Sequence, residues 1–156
     1  MRLRLPIVTA LVVLLLGLAS GWLSGSGYGN AWFDGLAKPG FMPPGWAFPV
    51  AWTILYLMIG TAFGLILETK HALRSRAILL FVAQLLLNLA WSPVFFALHQ
   101  PLRAFAIIVL MVIVTALTAL DFHRIRPLAA WLLLPYLAWL IFAAALNGAI
   151  VALNPA

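Results

Sequence analysis

Three tryptophans, Trp52, Trp91 and Trp139, share helical faces with polar or small side chains. Gln84, Asn88, Trp91 and Phe95 follow one another at spacings of four, three and four. At ~100° per residue these four fall on one stripe of a helix. Trp52, Tyr56, Gly60 and Gly64 recur every four residues, and Trp139, Ala143, Leu146 and Asn147 form a third such face. Indole and phenol rings offer flat surfaces for stacking, and the amides offer neutral donors and acceptors. Apolar walls with a few placed polar groups describe a pocket for a flat, largely apolar ligand. The three indoles are expected to converge on one such cavity, shaped by the amides.

Chemistry that makes or breaks bonds finds little support. The chain has no cysteine, which removes thiolate metal sites, disulfides and a Cys nucleophile. His71, His99 and His123 all fall in or beside connectors, and none has i,i+4 spacing to another ligand type. No metal site is expected, and the histidines read as interfacial and solvated. No Asp, Glu, Lys or Arg lies mid-way along an apolar run, so neither a general acid/base pair nor an ion-coupling site is expected there.

These faces need long helices, and the composition says what surrounds them. The 156 residues are 66% hydrophobic and 8% charged, far too apolar for a water-facing domain of this size. Apolar runs at 5–23, 47–67, 77–98, 104–120 and 128–153 are each near the ~20 residues that cross a bilayer. The chain is therefore expected to be an all-α membrane protein, a single transmembrane domain over residues 1–156 built as a five-transmembrane-helix bundle. The first run follows Arg2 and Arg4 and contains Ala19-Ser20-Gly21, which resembles a cleavage site. We read it as a retained span.

Pro49 lies in the first turn of the second run, where its missing N–H is harmless, whereas Pro93 should kink or end the third. Residues 24–46 carry six glycines and three prolines and cannot form a long helix. They also carry Tyr28, Trp32, Phe33, Phe41 and Trp46, which need a surface. An ordered aromatic, Pro/Gly-rich loop folded over one end of the bundle is expected between the first two helices. Residues 68–76, 99–103 and 121–127 are short connectors, which makes neighbouring helices antiparallel.

Polar groups inside the spans should point into the bundle, because an unpaired one costs about 1–3 kcal/mol or more. Gly60 and Gly64, four apart, permit close backbone approach. Ala83, Ala90 and Ala97 recur every seven residues on a separate face and also read as packing positions, within the bundle or between copies. The net charge of +6 comes from basic residues scattered between apolar runs, with no stripe suited to nucleic acid. It is topogenic instead. Arg2, Arg4, Lys70, Arg74, Arg76, Arg124 and Arg126 fall on one side and only Lys38 and Arg103 on the other. The N-terminus is thus expected in the cytoplasm and the aromatic loop outside. A reporter fused to the C-terminus and active only in the cytoplasm would overturn this orientation.

The run 38–56, KPGFMPPGWAFPVAWTILY, resembles the signature of the TspO/MBR family, the tryptophan-rich sensory proteins and translocator proteins (peripheral-type benzodiazepine receptors). Residues 84–96, QLLLNLAWSPVFF, resemble that family's third helix, and PYLAW at 135–139 with Leu146-Asn147 its fifth. The resemblance covers nearly the whole chain. It implies a homodimeric five-helix bundle that binds porphyrins such as protoporphyrin IX, haem, cholesterol-like lipids and benzodiazepine-type drugs. It places Trp52, Tyr56, Asn88, Trp91, Trp139 and Ala143 around the ligand, with Trp46 and Phe48 at the edge of a lid; the helical faces above add Phe95 and Asn147. Porphyrin would be a ligand and not a cofactor, bound without axial ligation, since no histidine lies mid-span.

The implied activities differ. One is binding or sensing, another is passive transport of porphyrin, lipid or sterol, and a third is light-dependent porphyrin breakdown with Trp52 and Trp139 as electron donors. Two departures from the family stand out. Met42 replaces a residue that is often polar, and no Tyr followed by a basic residue comes after Asn147, as the sterol motif requires. Some bacterial relatives are assigned to the outer membrane, but helical spans with this charge bias fit a bacterial inner membrane better.

Overall fold

The structure, a computed structural model, describes residues 4–155; Arg2 of the basic side lies outside the described residues. Among the described residues five long apolar helices each suffice to cross a membrane, which makes the chain an integral multi-pass membrane protein. They are α1 (Arg4–Leu23), α3 (Ala47–Glu68), α4 (Arg74–Ser92), α5 (Pro101–Ile125) and α6 (Pro127–Leu153). A short α2 (Ala31–Gly35) interrupts the loop after α1. Among the described residues there is no strand.

Small residues decide how α1 joins the bundle. A Cβ at Gly60 would sit 2.5 Å from the Ala10 Cα, and one at Gly64 would collide with the backbone of Pro6. Two helix backbones therefore run in direct contact, as small-xxx-small spacing allows. The Thr9 hydroxyl donates to the Gly60 carbonyl at 2.7 Å and fastens the contact. Gly17, two turns beyond Ala10, makes room for the ring of Tyr56. The pair Gly60 and Gly64 thus packs within the chain, against α1. Ala83 is half-buried, and Ala90 and Ala97 are exposed on the outer face of α4 and the turn that follows.

Pro93 ends the regular part of α4. Its ring cannot supply an N–H, and the next five residues, Pro93–Ala97, form a π-helical turn. His99 then adopts a left-handed conformation, φ 54°, before Pro101 starts α5. That helix is longer than its apolar run. It begins at Pro101 and continues to Ile125, so 121–125 is helix where a connector was expected. Asp121 is wholly buried beside Arg76 and Arg124, and this pairing carries the helix past its first acid.

The loop is ordered by its own contacts. Asn30 caps α2 by accepting from the Phe33 N–H at 3.1 Å. The Lys38 ammonium donates to the carbonyls of Phe33, Leu36 and Asp34 at 2.7, 3.1 and 3.2 Å, closing the other end of the turn. Phe33 is buried against Phe95 and Phe96, and Trp32 stacks on the His99 imidazole at 4.5 Å. The Asn154 side chain exchanges two 2.9 Å hydrogen bonds with the backbone of Ala37. Loop and bundle end are thereby joined on both flanks.

Candidate functional site

At the centre of the bundle four polar side chains are joined in one hydrogen-bonded chain, which leaves only Gln84 Nε2 among their donors without a partner. The Tyr56 hydroxyl donates to Asn88 Oδ1 at 2.8 Å, and Asn88 Nδ2 donates to the Tyr136 hydroxyl at 2.9 Å. Tyr136 in turn donates to Gln84 Oε1 at 2.8 Å. The chain links α3, α4 and α6 in a buried environment where water cannot substitute. Met111 Sδ of α5 lies 3.4 Å from the same Tyr136 oxygen. Tyr136 is the node of this network, yet the faces singled out from the sequence omit it. Extending the face of Trp139, Ala143 and Asn147 back by one turn would have found it.

The indoles do not all meet. Trp52 stacks on Tyr56 at 5.2 Å and meets Trp139 edge to face at 6.4 Å. Phe48 and Phe142 approach Trp139 at 6.1 and 5.5 Å. Trp91 instead lies on Phe95, 5.1 Å away, and donates its Nε1–H to Asn147 Oδ1 at 3.1 Å. Asn147 passes the connection on by donating to the Pro101 carbonyl at 2.9 Å. Phe95 belongs to the cluster beneath the loop, with Phe33 and Phe96. Trp91 borders both that cluster and the central core. Single-helix geometry could not anticipate this division, because the i,i+3/i+4 rule fixes a direction but not the neighbour met there.

Between α3 and α6 runs an apolar groove of about 490 Å³, lined by Ala51, Ile54, Pro135, Ala138, Trp139 and Phe142. It is open laterally, since Ile54, Pro135 and Ala138 are exposed on the membrane-facing side. An enclosed cavity among three indoles was expected; the void found is a lateral groove reached by one of them. The Trp139 Nε1–H is buried and has no acceptor in the protein. Ala143, one turn further, is half-buried. Trp46 is 70% exposed at the start of α3 and covers nothing, whereas Phe48 is half-buried on Trp139. Among the described residues no three metal-ligating side chains come together.

Fold and centre together define a multi-pass membrane helix bundle braced by a buried Tyr–Asn–Tyr–Gln network, with an apolar groove opening sideways. The chain belongs to the TspO/MBR family, whose sequence pattern matches residues 8–153. It is 44% identical to the tryptophan-rich protein TspO of Chlorobaculum tepidum over 80% of each chain. Identity to the protein of the same name from Archaeoglobus fulgidus is 38% over 95% of each chain. The translocator protein of Sus scrofa is 41% identical over 78% of this chain and 73% of its own length.

Proposed function

We propose that the protein binds planar hydrophobic molecules from the bilayer, tetrapyrroles such as protoporphyrin IX and benzodiazepine-type drugs among them, and serves their sensing or movement. The observation that carries this reading is the laterally open apolar groove of about 490 Å³, lined by the aromatic rings of Trp139 and Phe142 together with aliphatic side chains of α3 and α6. An apolar wall of this kind favours flat hydrophobic molecules that stack on the rings. Trp52 and Phe48 flank the Trp139 ring and offer further π surface. The groove volume falls within the ~300–1,000 Å³ typical of small-molecule sites. Asn88 and Asn147 take part through the tyrosines and the indole they hold, since their amides are already engaged.

Titration of the purified protein with protoporphyrin IX should quench tryptophan fluorescence saturably. The Trp52→Phe, Trp139→Phe double variant should bind at least about tenfold more weakly, the loss of ~1.4 kcal/mol or more in stacking and apolar contact. Absorbance of the porphyrin itself reports binding when the indoles are gone. Undiminished affinity of the variant would refute the site.

We propose further that two copies associate through the exposed Ala90 and Ala97 face of α4. Cross-linking through Ala90→Cys should trap a dimer; none would appear if that face meets only lipid. The bacterial inner membrane with a cytoplasmic N-terminus remains the proposed setting, supported by the basic residues Arg4, Arg74, Arg76, Arg124 and Arg126 at one end of the bundle.

A further inference from the structure

Arg76 lies in the first turn of α4 and Arg124 in the last turn of α5, and one buried carboxylate stands between them. Arg76 Nε is 3.1 Å from Asp121 Oδ2, and Arg124 Nη1 is 3.8 Å from Oδ1. Asp121 is fully buried while the two arginine side chains are 56% and 61% exposed. Neither contact is a hydrogen bond: the Arg76 Nε–H is poorly aligned with Oδ2, and the Arg124 contact is too long. Charge, more than directed bonding, holds the arginines in place. Among the described residues neither guanidinium has any other protein partner, so the donors of two forked groups face outward together.

Two features say what such a fork would take. The surrounding helix ends carry Lys70, Arg74 and Arg126 in addition, against Glu68 as the one other acid, so the rim attracts an anion. Exposed leucines descend from the fork into the span: Leu79 lies one turn beyond Arg76, and Leu120 one turn before Arg124. Leu128, at the start of α6, is exposed at the same end. A free anion has no use for that apolar surface, whereas acyl chains do. The ends of apolar spans also coincide with the headgroup layer.

We infer that Arg76 and Arg124, spaced by buried Asp121, form a phosphate-binding fork for the headgroup of an anionic phospholipid, whose chains lie along Leu79 and Leu120. With Asp121 between them the two guanidiniums keep a net charge of +1, which matches the single negative charge of a phosphodiester, and their planar forks suit its two unesterified oxygens.

The full chain in phosphatidylcholine nanodiscs, with phosphatidylglycerol added stepwise, tests the fork. The readouts are the rise in unfolding temperature and the lipid retained in native mass spectrometry. The Arg76→Gln, Arg124→Gln variant should lose phosphatidylglycerol affinity by on the order of tenfold or more. Lys70→Gln, which removes a charge at the same end but outside the fork, should keep most of it. Asp121→Asn raises the net charge and releases the arginines. If geometry governs, phosphatidylglycerol binding weakens in this variant, and each increment is read against that variant's own baseline. Stronger binding by Asp121→Asn, or equal losses in Lys70→Gln and the double variant, would mean diffuse surface charge and overturn the fork. An equal response to inorganic phosphate would overturn the lipid as its occupant.

Discussion

Gly64→Val is expected to lower the unfolding temperature of the detergent-solubilised protein by many degrees and to loosen α1 from α3. The reason is geometric. Any side chain at Gly64 points into the backbone of Pro6, and the Thr9 hydroxyl oxygen lies 2.5 Å from where a Cβ would stand. A flexible neighbour could swing away, but a helix backbone moves only as a whole. Overpacking of this kind costs about 1–3 kcal/mol where side chains can yield, and the upper end or more applies here. The displacement would propagate, because α1 also supports the bundle through Ser20, whose hydroxyl donates to the Leu89 carbonyl of α4 at 2.8 Å. Gly35→Ala serves as the control. No atom lies within 4 Å of a Cβ built there, and its unfolding temperature should match that of the unmodified protein. Equal stability of Gly64→Val and Gly35→Ala would show that α1 is not packed as described.

Tyr136→Phe is expected to destabilise the protein by about 1–3 kcal/mol although only one oxygen is removed. That oxygen accepts from Asn88 and donates to Gln84, and both amides are buried. Gln84 already has an unpartnered Nε2, so the variant would leave a whole amide without a bond on either end. Hydrogen bonds between membrane helices often contribute only ~0.6 kcal/mol, because an unfolded helix in lipid finds other partners. The larger figure applies here since two buried groups lose one shared partner at once. Asn88→Leu should cost at least as much, as it strands the hydroxyl of Tyr56 and the accepting side of Tyr136. Tyr28→Phe, on the exposed loop, should be neutral. Chemical unfolding followed by helical circular dichroism distinguishes the three, and indistinguishable midpoints would rule out the network as a stabilising element.

The membrane spans were readable from the sequence because the bilayer imposes a length and a composition that hold one residue at a time. The end of α5 was not. Asp121 looked like the first residue of a connector, and only the approach of Arg76 from another helix makes a buried acid affordable there. Pro93 announced a break, but not its π-helical form, nor that the turn would set Phe95 and Phe96 against Phe33 of the loop. The polar faces of the third and fifth spans were likewise visible in i,i+3/i+4 spacing. Which partner each amide takes was not, since Asn88 chooses two tyrosines and Asn147 an indole only once four helices are in register. The same limit separates Trp91 from Trp52 and Trp139.

The paired bonds between Asn154 and Ala37 have a practical corollary. The C-terminal cap of α6 and the loop segment around Ala37 form a single mechanical unit. Trimming the tail ahead of Asn154, or fusing a bulky domain directly behind it, would therefore perturb a segment more than a hundred residues upstream. Tags on this protein belong behind a flexible spacer, or their effects will be mistaken for those of the loop.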